Sequence, residues 1–160
     1  MTDVILFLGD QFLFRPESSS LEPGPVRMIV WASDLCALTN RREARKKLKK
    51  AALDSLDACR PHPACRHLLL AYRTDSPAQL HLGSIAQSLA LKIHTDAELR
   101  LGRDLDVVLL DVSDVDDPLL LLKRMGELST QAGSLSGAAS LSWPQIRDEN
   151  IRRAATSLYL

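Results

Sequence analysis

Leu105–Val112, LDVVLLDV, is the stretch that decides the fold. Extended, it points apolar side chains to both faces. A strand of that kind belongs inside a parallel sheet covered by helices above and below. Val4–Leu8 (VILFL, closed by Gly9-Asp10), Val26–Ala32 (VRMIVWA) and His67–Tyr72 (HLLLAY) read the same way, and Ala138–Leu141 gives a weaker fifth strand. Helical patterns fill the gaps. Asn40 is placed as an N-cap with Glu43 as its capping-box partner. From Arg41 to about Cys59, Ala44, Leu48, Ala51, Ala52 and Leu56 share one face, and Pro61 and Pro63 stop the helix. Ser76-Pro77 opens a second helix with Leu82, Ile85, Ala86, Leu89 and Ile93 as its buried stripe. A third starts at Pro118 behind Asp116 or Asp117, with Leu121, Leu122, Met125 and Leu128 inward. Ser142-Trp-Pro-Gln145 has the form of a capping box, and Ile151, Ala154, Ala155 and Leu158 continue a final helix. The expectation is a single α/β domain. It is a three-layer α/β/α, Rossmann-like fold around a mostly parallel sheet of four or five strands, with right-handed crossovers. The connection from Phe12 to Pro25 is read as an irregular loop.

The composition fits. The 160 residues are 46% hydrophobic and 25% charged with a net charge of zero, which excludes a disordered chain and gives no bulk electrostatic pull toward any partner. No apolar run approaches the ~20 residues of a membrane span. No basic segment precedes an apolar one as in a secretory leader. Three cysteines are an odd number, which argues against a disulfide framework and suits a reducing cytoplasm. Aromatics are only 4%, too few for a base-stacking surface.

In parallel α/β sheets, ligands sit beyond the carboxyl ends of the strands. Those ends carry aspartates: Asp10, Asp34, Asp75, Asp111 and Asp114. Asp10, Asp111 and Asp114 are the candidate ligands for Mg²⁺, which would serve a phosphate-containing substrate. The same residues serve equally as helix caps, the more common use of Asp at such a junction. Gly9-Asp10-Gln11 is neither a P-loop nor a dinucleotide turn. It also places glutamine where a Gly-Asp-Ser hydrolase has its nucleophile, and glutamine cannot attack a carbonyl. Cys59, His62, Cys65 and His67 are four zinc-type ligands in nine residues. Structural zinc sites space their ligand pairs by a dozen or more residues, so the spacing argues against zinc here. No other cofactor is predicted.

Charge is distributed unevenly. Arg41–Lys50 holds seven basic residues and one acidic, whereas Thr95–Asp117 holds eight acidic and two basic. Arg41, Arg42, Arg45, Lys46, Lys49 and Lys50 are therefore candidates for contacting a protein partner or phosphates, and a solvated helix face is the plain alternative.

The succession VILFLGDQF (Val4–Phe12), Val26–Ala32, the helix through Cys59 and LLLAYRTDSPAQL…IAQSLALKI resembles the N-terminal α/β domain of photolyase/cryptochrome-like proteins. Leu8–Gln11 is similar to the opening of their bacterial photolyase-related branch. The resemblance covers residues 4–94 and implies the fold. It carries over neither flavin binding nor DNA repair, because the helical flavin domain of that family has no counterpart here. The functional expectation is a non-catalytic binding or assembly subunit that docks on a protein partner or on itself. The alternatives are the Mg²⁺-dependent phosphate enzyme and a nucleic-acid-associated protein using the basic helix.

Overall fold

The computed structural model describes residues 4–11, 24–75, 80–130 and 137–157. Five strands, β1 (Val4–Gly9), β2 (Val26–Asp34), β3 (His67–Arg73), β4 (Asp106–Asp111) and β5 (Ala138–Ser142), form one sheet in the order β1-β2-β3-β4-β5. Every pairing is parallel. The helices are α1 (Arg41–Cys59), α2 (Gly83–Asp96, running on into a π-helical turn, Ala97–Leu101), α3 (Pro118–Thr130), α4 (Trp143–Arg147) and α5 (Ile151–Ser157).

Two cores flank the sheet, as a strand apolar on both faces requires. Ile29, Leu68, Leu70, Val107 and Leu109 pack under α1 and α2. Val30, Leu69, Ala71, Val108 and Leu110 pack under α3, α4 and α5. The three-layer α/β/α reading holds.

The uniform right-handed crossovers do not. Strand order runs steadily across the sheet, so two crossovers of one hand must put their helices on one face. The α1 and α2 helices lie on one face and α3 on the other. The β4–α3–β5 unit therefore has the opposite hand to β2–α1–β3, against the strong general preference. The trailing helix also differs from its reading. It breaks at Asp148–Asn150, where the Asn150 side chain caps a new helix by accepting from the Arg153 amide at 2.8 Å.

Local signals fared well in between. Asn40 accepts from the Arg42 amide at 2.8 Å, and Asp117 from Leu120 at 3.1 Å. The Ser142/Gln145 capping box is formed. Ile85 and Leu122 are only partly buried. Most of the Phe12–Pro25 loop, the Ser76-Pro77 helix start and Leu158 lie outside the described residues. Among the described residues, no helix is long and apolar enough to cross a membrane.

Candidate functional site

The carboxyl end of the sheet falls into two halves. Across β1, β2 and β3 the aspartates are engaged with one another's backbones. Gly9 turns the chain at φ +85, and a Cβ there would sit 2.3 Å from the Ala32 carbonyl oxygen, so only glycine fits. The turn delivers Asp10, whose Oδ2 accepts from the Asp34 amide at 2.8 Å and lies 3.7 Å from Lys47 Nζ. Asp34 Oδ1 accepts from Cys36 N at 3.0 Å, and its Oδ2 from Arg73 Nη2 at 3.0 Å. That guanidinium holds the Asp34 carboxyl well below the usual carboxylate range. Burial, then the neighbouring Asp34 and Asp75, push the Cys36 thiol up to about 12, so it is no nucleophile at neutral pH.

Across β3, β4 and β5 the rim opens. The chain leaves β3 toward the α2 face and leaves β4 toward the α3 face, and a crevice forms where neighbouring connections diverge in this way. Here it is a cleft of about 480 Å³, lined by Tyr72, His81, Gln87, Asp111, Ser140 and Gln145 among others. Tyr72, Asp111 and Ser142 are register partners on adjacent strands. Tyr72 is 2% exposed, and burial, with the Asp111 charge adding to it, raises its phenol above the ordinary value, with neighbouring Ser140 pulling the other way. Gln87 Oε1 accepts from the Ser140 amide at 3.1 Å, which seats α2 on β5. Asp111 Oδ1 accepts from the Ser113 amide at 2.9 Å and from its hydroxyl at 2.5 Å, and Ser113 Oγ in turn accepts from the Thr74 amide at 3.0 Å. The Ser142 hydroxyl donates to Gln145 at 3.1 Å. His81 stands at φ +46, a strained position for a residue with a Cβ. Arg41 braces that turn, its Nε donating to the Leu80 carbonyl at 2.9 Å and its Nη2 to that of His81 at 3.4 Å.

The predicted site residues are thus dispersed. Asp10 and Asp111 end strands three places apart in the sheet, about 14 Å at ~4.8 Å per strand, so no single ion reaches both. Asp111 alone faces the cleft, and Asp114 lies in the loop beyond it, outside the lining residues. Cys59 and Cys65 are free, buried and adjacent. The neighbouring Cys65 thiol, then burial, raises the Cys59 thiol, which donates to the Ser55 carbonyl at 3.4 Å. His67 turns instead toward Asp106, Nδ1 to Oδ2 3.3 Å, with both side chains under 5% exposed. Cys59, His62, Cys65 and His67 do not gather round a common point.

Arg41 is committed to the Leu80 turn, and Lys50 pairs with Asp54 at 3.0 Å. Arg42 and Lys46 are exposed, while Arg45 and Lys49 line a groove of about 300 Å³ with Ser84, Ser88 and Lys92 of α2. The acidic window is not one surface. Strand β4 runs through it, leaving Asp96, Glu98 and Asp104 near one end of the sheet and Asp111, Asp114, Asp116 and Asp117 at the other.

Sequence reading missed Ser140, Ser142, Gln87 and Gln145 as cleft residues. Their signal was the alternation Ser140-Leu141-Ser142, which puts two hydroxyls on one face of an otherwise apolar strand. Compared with known proteins, the chain matches no family model, no curated protein and no solved structure.

Proposed function

We propose that this chain is a non-catalytic binding module whose cleft at the ends of β3, β4 and β5 takes a small, neutral or cationic, hydrogen-bonding molecule. The observation that carries the reading is the lining itself. Hydroxyls and carboxamides surround Asp111, and among the described lining residues His81 is the only other titratable side chain besides the buried phenol. A phosphate entering would meet the Asp111 carboxylate with no Lys or Arg among the described lining residues to offset it. Chemistry is disfavoured by the state of the groups present. The Tyr72 phenol holds its proton, the Ser142 hydroxyl is engaged with Gln145, and Asp111 is engaged with Ser113.

The test is a thermal-shift and calorimetric screen of nucleosides, polyols and amines against their phosphorylated counterparts. Neutral or cationic members should stabilise the chain, and Tyr72→Phe or Gln145→Ala should weaken that binding about tenfold, the effect of one lost hydrogen bond. Preference for the phosphorylated set, or indifference to both substitutions, rejects the reading.

A second reading follows from Arg45 and Lys49, which form no ion pair with any described residue and face the α1/α2 groove with Lys92. We propose that this face docks on an acidic protein surface. Binding of a polyglutamate peptide that fails in Arg45→Glu/Lys49→Glu supports it. Tighter, salt-sensitive binding of DNA moves the face to the nucleic-acid reading instead.

A further inference from the structure

The amino end of the sheet, opposite the cleft, holds a second cluster. Helix α2 does not stop at Asp96. Its backbone widens into the π-helical turn Ala97–Leu101 and reverses at Gly102, φ +64, before the chain enters β4. Such turns displace the side chains that follow around the helix axis, and they recur at functional positions. This one gathers His94, Glu98 and Asp104, with one ligand atom of each lying within 4.8 Å of the others.

The imidazole is oriented from behind. His94 Nδ1 lies 2.8 Å from the Leu105 carbonyl oxygen, which can only accept, so Nδ1 carries a proton. In the neutral ring, Nε2 then offers a lone pair, and it stands 3.4 Å from Glu98 Oε1. A lone pair facing the Glu98 carboxylate, with a ligand oxygen of Asp104 in the same cluster, is favourable with a cation among them. A backbone carbonyl fixing the far nitrogen is how metal-binding histidines are commonly held.

We propose that His94, Glu98 and Asp104 form a binding site for a divalent cation of the Zn²⁺ class. One imidazole nitrogen with two carboxylate oxygens suits Zn²⁺, Co²⁺ or Mn²⁺, whereas Mg²⁺ and Ca²⁺ prefer oxygen alone. His94 is 16% exposed and Glu98 53%, so the ion enters from solvent and water completes its coordination. Bound there, it ties the end of α2 to the start of β4 across residues 99–103. It stands at the opposite end of the strands from the cleft and takes no part in ligand binding there.

The experiment uses the full chain, stripped with chelator and titrated with Zn²⁺ by calorimetry and thermal unfolding, with Co²⁺ as the spectroscopic probe. Expected are one ion per chain and a Tm rise of about 5–10 °C at roughly a hundredfold excess over Kd. Glu98→Gln and Asp104→Asn should each weaken Zn²⁺ at least tenfold, read as the loss of the Zn²⁺-dependent Tm rise relative to each variant's own metal-free Tm. Bound Co²⁺ should show no thiolate charge-transfer band. Absence of binding would mean a plain His94–Glu98 ion pair and overturn the proposal. So would unchanged affinity in both variants, or a thiolate band that disappears in Cys59→Ser.

Discussion

At the ends of β1 and β2, Asp10, Asp34, Lys47 and Arg73 stitch neighbouring strands and fill the rim. At the ends of β3, β4 and β5, the same kind of rim leaves a cleft of about 480 Å³. Both halves begin with aspartates after apolar strands, so residue type does not separate them. The course of the next connection does. Beside β2 the chain goes on to α1, and the Asp10 and Asp34 carboxylates meet Lys47 and Arg73 as well as backbone amides, whereas among the described residues Asp111 bonds only within its own turn. Between β3 and β4 consecutive connections part to opposite faces, and nothing in the sheet closes the gap. In this sheet a strand-end aspartate lines a cleft where the helices diverge and braces the backbone where they do not.

The comparison breaks most readily at Gly9. Gly9→Ala forces a Cβ against the Ala32 carbonyl in a left-handed backbone, and should cost about 2–4 kcal/mol in urea unfolding. A loss near zero would mean the closed half is not pinned there. Next is Asp34→Asn, expected to cost about 1 kcal/mol at neutral pH because the Arg73 pair is partly exposed. Its folded pKa is depressed, so its stabilisation is present above the unfolded value of ~3.9 and lost as pH falls through the lower folded value. The gap between wild type and variant should therefore narrow on acidification. A constant gap would remove the ion pair from the account.

In the open half, Tyr72→Phe should cost about 0.5–1.5 kcal/mol, the range for removing one buried hydroxyl, while weakening cleft ligands about tenfold. Equal losses of stability and affinity would recast the hydroxyl as scaffolding. Smallest is Lys50→Gln, away from either half, where the exposed pair with Asp54 supplies about 0.3–0.5 kcal/mol, measurable by thermal unfolding at low salt.

The layers and most element boundaries were legible because local causes set them. Asn40 and Asp117 cap, Pro118 opens a helix, and Val107–Leu110 are apolar on both sides. Strand order was not legible, since strands buried on both faces carry no mark of their neighbours. Nor did Leu121, Met125 and Leu128 reveal which face α3 would cover, because a helix stripe fits either. The break before Asn150 has neither glycine nor proline to announce it. Of the candidate site, Asp111 was reached by position alone. The serines of β5 and the amides of Gln87 and Gln145 became partners only through the register of β4 with β5 and the seat of α2.

The unbroken β1-to-β5 order has a consequence for how the molecule comes into being. A parallel sheet ordinarily waits for late segments to be threaded between early ones, which makes it slow to assemble. Here each new strand adds to the margin left by its predecessor, so the structure can be laid down in the direction of translation. Among the described connections, the one into β5 alone crosses by the other face, so β5 docks only once α3 has packed there, and α4 and α5 then close over the same core.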